Sequence, residues 1–163
     1  MLRSSTLRAF MVAILAGVVA ASATISIASA EAITTTRKGA SYADVRQDLE
    51  SAIIEAGLKI DYSGNINAML TRTGPDVGSN QPIYQNAEFF TFCSAKLSRQ
   101  MMEADPANMQ HCPYVVFIYQ RVATVREVVV GYRKIEETGR GKQVLGEINA
   151  LLARIVKTAA ASK

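Results

Sequence analysis

The stretch "MQHCP", residues 109–113, combines residue types that bind metals or exchange electrons. It holds His111, the single histidine of the chain, and Cys112, one of two cysteines, of which the other is Cys93. Imidazole and thiolate groups are ligands for soft and borderline metal ions, and two cysteines can form or exchange a disulfide. Two interpretations therefore compete: a metal or redox site, or the fixed start of a buried strand.

Cys93 and Cys112 form the pair on which this chemistry depends. The helix predicted between them returns the chain to the same sheet, so we expect both cysteines at the ends of neighbouring strands. In an oxidising compartment such a pair favours a structural disulfide, which would contribute about 3 kcal/mol by the chain-entropy model. Two buried thiols are the structural alternative. Thiol–disulfide exchange is less favoured, because the chain has no C-x-x-C motif.

A metal or haem site is a further interpretation of the same cysteine pair. Soft donors suit Cu(I) or haem iron, whereas zinc is disfavoured because no fourth tetrahedral ligand is evident. The donors would be Cys93, His111 and Cys112, with Met101, Met102 and Met109 close in sequence. The simpler structural interpretation makes Met101 core filler on a helix, Met102 and Met109 exposed, and His111 a surface residue where a strand starts.

Hydrolysis and nucleotide binding are poorly supported by the motifs. His111 is the one possible base for a Ser-His-Asp or Cys-His site, and no G-x-S-x-G elbow accompanies it. The segment Gly139-Arg140-Gly141-Lys142 is too short for a phosphate-binding loop. We therefore expect a non-enzymatic protein, and the sequence identifies neither catalytic residues nor a specific cofactor.

The first thirty residues have the order of a secretory signal peptide. Arg3 and Arg8 precede an apolar run over 9–20, and Ala28-Ser29-Ala30 forms an A-x-A site, so we expect cleavage before Glu31. No cysteine follows that site, which disfavours a lipid anchor. The remaining chain is expected in the periplasm or outside the cell, with no stable membrane insertion after cleavage.

An uncleaved membrane anchor is the competing interpretation of this segment. The uncharged run over 9–30 is about long enough to cross a bilayer, although Ala, Ser and Thr make its second half a poor stop signal. In either case the basic residues stay on the cytoplasmic side and residues from 31 onward face the outside.

The charge of the chain does not indicate nucleic-acid binding. The formal charge of +4 falls to +2 without Arg3 and Arg8, because 16 basic residues then face 14 acidic ones. The basic residues are interleaved with glutamates instead of forming a basic patch. Solvated faces of mixed charge follow from this pattern.

The apolar periodicity predicts one α/β domain over about 32–160. In chain order we expect a strand over 32–38, a helix from Ser41 to Gly57, a strand over 58–62, a short helix near 66–70, an irregular loop over 74–85, a strand over 88–93, a helix from Ser94 to Asp105, a hairpin of strands 113–119 and 125–132, and a last helix with an apolar stripe over 144–156. This order predicts an α+β fold, a two-layer α/β sandwich whose mixed, mostly antiparallel sheet has helices on one face.

The other face of the predicted sheet, lined partly by Thr and Tyr, would need a lid or a partner, which favours a homodimer.

Three segments resemble one protein family. "FFTFCSAKLSRQMMEADP" and "HCPYVVFIYQ" are similar to the core of the domain-of-unknown-function 302 (DUF302) family, also called TT1751-like, in which one strand ends at a cysteine and another begins at a second cysteine. Cys93 and Cys112 occupy those places, and "SYADVRQDLESAIIEAGLKI" looks like the family's amphipathic helix and second strand. Ser94-Ala95 stands where the family often has Asn-Pro. The resemblance covers nearly all of residues 33–158 and implies a small antiparallel-rich α+β fold that is compatible with a dimer, with no assigned activity.

The sequence thus predicts an exported domain that binds a small ligand or a protein partner. The alternative is a periplasmic redox or metal/haem-handling protein that uses Cys93, Cys112 and His111. Neither the ligand nor a role for loop 74–85 follows from the residues.

Overall fold

The computed structural model describes residues 31–161, which form one five-stranded sheet and four α-helices. The strands are β1 (Ala32–Lys38), β2 (Tyr62–Asn65), β3 (Tyr84–Phe92), β4 (Tyr114–Arg121) and β5 (Glu127–Arg133). The helices are α1 (Tyr42–Glu55), α2 (Ile66–Thr73), α3 (Ala95–Ala104) and α4 (Lys142–Ala160), and a 3₁₀ segment spans Pro106–His111. The predicted signal peptide lies outside the described residues.

The sheet has the order β1-β5-β4-β3-β2, and each neighbouring pair of strands is antiparallel. The predicted hairpin is β4–β5, at the centre of the sheet. The α+β sandwich predicted from the sequence is confirmed. Within residues 31–161, no helix combines the length and apolar character needed to cross a membrane.

The core lies between one face of the sheet and helices α1 and α4. Side chains alternate along the central strands, so that Val116, Ile118, Val128 and Val130 are fully buried on this inner face. The apolar stripe of α4 covers them. Its buried members are Val144, Leu145, Ile148, Leu151, Leu152, Ile155 and Val156.

The outer face of the sheet is covered by its own aromatic rings where two strands carry glycine. A Cβ on Gly131 would lie 2.5 Å from the Phe117 ring and 2.7 Å from the carbonyl oxygen of Ile33. A Cβ on Gly64 would lie 2.3 Å from the Phe89 ring. The two rings therefore occupy the space above the glycines, which brings aromatic surface down onto the sheet.

The predicted caps are confirmed, whereas one strand is displaced. Ser41 and Ser94 begin α1 and α3, each accepting a hydrogen bond from a backbone N–H three residues on. The strand predicted over 58–62 lies later in the chain, as β2 (Tyr62–Asn65), where Gly64 leaves room for the Phe89 ring of β3. The segment predicted as the turn after the strand, Ser63-Gly64-Asn65, is therefore part of the strand.

Candidate functional site

The register of β3 and β4 brings the two cysteines together. Phe92 and Tyr114 are register partners, so Cys93 leaves one strand beside the point where Cys112 enters the next. Their Cα atoms are 6.3 Å apart and their sulfurs are at disulfide distance, with both residues half-buried. The predicted proximity of the two cysteines is confirmed.

A buried polar pair lies beside the sulfur of Cys112. The Oγ atom of Ser98 on α3 is 2.9 Å from Tyr114 Oη and 3.7 Å from Cys112 Sγ. Burial raises the pKa of Tyr114, so its hydroxyl stays protonated at neutral pH. The hydroxyl of Ser98 can therefore donate a hydrogen bond either to Tyr114 Oη or to Cys112 Sγ.

A cleft of about 660 Å³ opens at the end of the sheet where β4 starts and β5 stops, and we call it the edge cleft. The β4–β5 pairing ends at Val116–Tyr132, beyond which the two strands separate. Tyr114 and Val115 line it from β4. Its first wall is residues 110–113, here called the disulfide wall, and its second is residues 133–142, here called the loop wall.

The loop wall is held by a buried asparagine of α4. Asn149 Oδ1 accepts a hydrogen bond from the N–H of Ile135 at 2.9 Å, and its Nδ2 donates to the carbonyl of Ile135 at 2.7 Å. Nδ2 also lies 3.0 Å from Oε1 of Glu137. The side chain thus takes the place of a neighbouring strand just after β5 ends, and it satisfies backbone groups that would otherwise be buried unpaired.

A second buried asparagine connects the loop wall to the segment before the disulfide wall. Asn108 Nδ2 donates to the carbonyls of Met101 at 2.8 Å and Arg140 at 3.0 Å. Arg140 also pairs with Asp105 at 3.2 Å. The N–H of Ala107, and then this arginine, hold the pKa of Asp105 below its usual value. Both walls are therefore set in position by the fold itself.

The charged groups of the edge cleft fall into two sets. Lys134 and Glu31 form an ion pair at 2.6 Å, which raises the pKa of that lysine. Arg133, Glu136 and Lys142 also line the cleft, yet within residues 31–161 none of them has an ion-pair or hydrogen-bond partner for its side chain. The cleft therefore presents unpaired charges of both signs.

His111 lies on the disulfide wall and faces the edge cleft. Burial lowers the pKa of its imidazole, which is therefore neutral at pH 7. Cys112 is the next residue and lies behind it. Of the three residues predicted for the site, the structure thus places His111 at the cleft and the two cysteines beside its wall, at disulfide distance from each other.

The residues predicted for a metal or haem site are distributed between the cysteine pair, the edge cleft and the core. Among residues 31–161, no group of three or more His, Cys, Asp or Glu side chains is arranged to hold a metal ion. Met101 is fully buried in the core, and Met109 is 67% exposed. A site using Cys93, Cys112 and His111 would need the two cysteines reduced, and it stays a prediction.

Sequence reasoning missed the two asparagines and the cations of the edge cleft. The role of Asn149 could have been predicted from the sequence, because this residue stands among the apolar residues 144–156. In the structure it is 6% exposed. A polar side chain on a core-facing stripe needs a hydrogen-bond partner. The roles of Asn108, Arg133 and Lys142 could not be predicted in this way, because they depend on segments that are distant in the chain.

Comparisons with known proteins agree with this architecture. The family model "Domain of unknown function DUF302" matches residues 33–161. A crystal structure of an uncharacterized conserved DUF302 protein from Bacillus stearothermophilus aligns with a TM-score of 0.64 at 12% identity, covering 80% of this chain and 98% of that one. Comparison with curated protein sequences gives no match. The resemblance found in the cysteine segments is thus confirmed over the whole domain, and the chain belongs to the DUF302 family.

Proposed function

We propose that this chain is an exported, non-enzymatic binding module and that the edge cleft is its ligand site. One observation carries the proposal: the cleft of about 660 Å³ lies between two walls that are already fixed, one by Asn149 and the other by the cysteine pair. Small-molecule sites are typically preformed concavities of about 300–1,000 Å³ with mixed apolar and polar linings. Val115 and Ile135 provide the apolar part and His111 and Arg133 the polar part.

The single histidine provides the test of the ligand site. The imidazole protons of His111 give isolated NMR signals in untagged protein, so binding in the cleft can be followed without full assignment. The probes are amino acids, dipeptides, monosaccharides and eight-carbon amphiphiles at millimolar concentration. We expect at least one class to shift the His111 signals to saturation.

A filled cleft is the matched control for that experiment. Val115 is half-buried at the cleft, so Val115→Trp adds a large ring there, whereas Thr36→Trp adds one to an exposed position of β1. The first variant should lose the response and the second should keep it. The proposal is wrong if no probe shifts His111 in the unmodified protein, or if Val115→Trp responds as the unmodified protein does.

Export and the disulfide can be tested on the same preparation. Protein produced from the full chain in a bacterial periplasm should begin at Glu31, as measured by intact mass. It should show no reactive thiol after denaturation without reductant. Two reactive thiols, or a mass that retains the first thirty residues, would contradict these two parts of the proposal.

A redox function is the second candidate, favoured by the Ser98 hydroxyl 3.7 Å from Cys112 Sγ and by the half-buried state of both cysteines. In such a reaction a substrate dithiol loses two electrons and two protons and forms a disulfide. The Cys93–Cys112 bond breaks and takes them up as two thiols. A reduced two-cysteine peptide should then be oxidised by the protein and not by Cys93→Ser; equal rates with both proteins would eliminate this candidate.

A homodimer through the outer face of the sheet is a separate proposal. The face carries half-buried rings of Phe89, Phe117 and Tyr119, of which the last two are stacked with centroids 6.3 Å apart. Apolar surface of this kind favours association. Light scattering should give twice the chain mass, and Phe117→Lys should return the mass of one chain. A single-chain mass for the unmodified protein at high concentration would end the proposal.

A further inference from the structure

The charges of the edge cleft indicate which class of ligand the cleft would bind. Three cationic and three carboxylate side chains line the cleft, so these side-chain charges sum to zero at neutral pH while His111 is neutral, and cleavage before Glu31 would add one α-ammonium group beside them. Lys134 and Glu31 already offset each other. With side chains of both signs on it, the cleft can bind both ends of a ligand that carries a positive and a negative group.

The remaining charges are separated instead of paired. Among residues 31–161, Arg133 and Lys142 have no carboxylate within ion-pair distance, although Glu136 and Glu137 line the same cleft. Glu137 is directed to Asn149, whereas Glu136 has no side-chain partner among residues 31–161. An arginine and a glutamate on one cleft that do not reach each other can each bind an opposite charge on one ligand.

The rest of the lining suits an extended chain with apolar side groups. Val115, Ile135 and Pro113 lie along the cleft, which opens where β4 and β5 separate beyond the pair Val116–Tyr132. The N–H and C=O of Ile135 are already bonded to Asn149, so an extended ligand would lie on the β4 side of the cleft, at Tyr114 and Val115. The apolar lining suits aliphatic side chains on such a ligand.

We propose that the ligand of the edge cleft is a zwitterionic amino acid or short peptide, whose carboxylate binds Arg133 and whose ammonium group binds Glu136. The inference rests on the proposed function of the cleft and names its ligand class. Lys142 supports the carboxylate end, and the apolar residues contact the side chains of the ligand.

Four matched dipeptides test this assignment through the His111 NMR signals of the untagged protein. Leucyl-leucine carries both charges, its N-acetyl form lacks the ammonium group, its amide lacks the carboxylate, and the doubly blocked form lacks both. We expect leucyl-leucine to bind about tenfold more tightly than either singly blocked form, because each removes one charge-assisted hydrogen bond. Free leucine distinguishes an amino-acid site from a peptide site within the same class.

Two variants assign the ends of the ligand. Arg133→Gln should abolish the difference between leucyl-leucine and its amide, and Glu136→Gln the difference between leucyl-leucine and its N-acetyl form. The exposed residues Arg154 and Glu55 provide the controls Arg154→Gln and Glu55→Gln, which should change neither difference.

Each contrary outcome has a distinct meaning. Equal affinity for all four dipeptides would overturn the zwitterion assignment while leaving a ligand site in the cleft. Charge selection that survives in both variants would overturn the roles of Arg133 and Glu136. If neither these dipeptides nor any other probe shifts His111, the inference and the proposed function both fail.

Discussion

The two walls of the edge cleft are held by different kinds of bond. The loop wall depends on hydrogen bonds from Asn149 and Asn108 to backbone groups, whereas the disulfide wall depends on the cysteine pair and on the Ser98–Tyr114 contact beside it. Opening the loop wall would leave buried polar groups unpaired. Where Cys93 and Cys112 are bonded, as we propose, opening the disulfide wall requires two electrons. The cleft would then combine a permanent wall with one that is sensitive to redox conditions.

The largest expected decrease in the free energy of unfolding comes from removing the side chain that holds the loop wall. Asn149→Ala leaves the N–H and the C=O of Ile135 without their partners, and Ile135 is 7% exposed. Each unpaired buried group costs about 1–3 kcal/mol, so we expect the free energy of unfolding to fall by about 4 kcal/mol. Denaturant unfolding measures it.

Asn80→Ala is the control for this prediction, because Asn80 is exposed in the loop before β3. It should change the free energy of unfolding by less than about 0.5 kcal/mol. A loss at Asn149→Ala no larger than that of the control would show that water replaces the side chain, and the loop wall would not be permanent.

The second largest decrease in the free energy of unfolding is expected from removing the cysteine pair of the disulfide wall. Cys93→Ala combined with Cys112→Ala should lower the free energy of unfolding by about 3 kcal/mol, because the unfolded chain loses a loop constraint. Dithiothreitol should destabilise the unmodified protein by a similar amount and leave the double variant unaffected. If the reductant affects both proteins equally, the bond does not provide this stability.

Hydrogen exchange on the reduced protein compares the two walls directly. The N–H of Cys112 donates to the carbonyl of Met109 at 3.1 Å on the disulfide wall, and the N–H of Ile135 donates to Asn149 on the loop wall. Reduction should speed exchange at Cys112 and leave exchange at Ile135 slow. Equal acceleration at both sites would mean that the walls open together.

A smaller effect is expected from the polar pair beside the sulfur. Ser98→Ala removes a partner of Tyr114 Oη, and we expect a loss of about 1 kcal/mol in the free energy of unfolding. In the reduced protein it should also raise the pKa of Cys112, because a thiolate there loses a hydrogen-bond donor. Ser79→Ala is an exposed control. An unchanged pKa would remove the observation that favours the redox candidate.

The sequence predicted the disulfide wall better than the loop wall. Cys93 and Cys112 are marked by rare residue types at the ends of two strongly apolar strands, so that their meeting follows from strand pairing alone. Asn149 acts on Ile135 from 14 residues away and Asn108 acts on Arg140 from 32. Hydrogen bonds from a side chain to the backbone of another segment leave no periodic pattern in the sequence. The cations of the edge cleft leave none either, because the cleft exists only where β4 and β5 separate.

The smallest effects are on pH dependence, and they have opposite directions for the two walls. On the disulfide wall, burial lowers the pKa of His111, so the unfolded chain binds a proton more readily. Its stability contribution is complete above the ordinary histidine value of about 6.5 and is lost as the pH falls toward the lowered value. His111→Gln should remove this acid-dependent part of the free energy of unfolding between pH 8 and 5.

On the loop wall, the hydrogen bond from Lys134 to Glu31 raises the pKa of the lysine, so the folded chain holds that proton more tightly. This contribution is complete below the ordinary lysine value of about 10.4 and is lost as the pH rises through the raised value. Lys134→Gln should therefore flatten the alkaline part of the stability profile, and Lys157→Gln, at an exposed position of α4, should not. Between pH 8 and 5, acid thus weakens the wall that a reductant also weakens, while Lys134 makes the other wall sensitive to alkali. A profile in which Lys134→Gln left the alkaline part unchanged would show that the ion pair with Glu31 does not stabilise the loop wall.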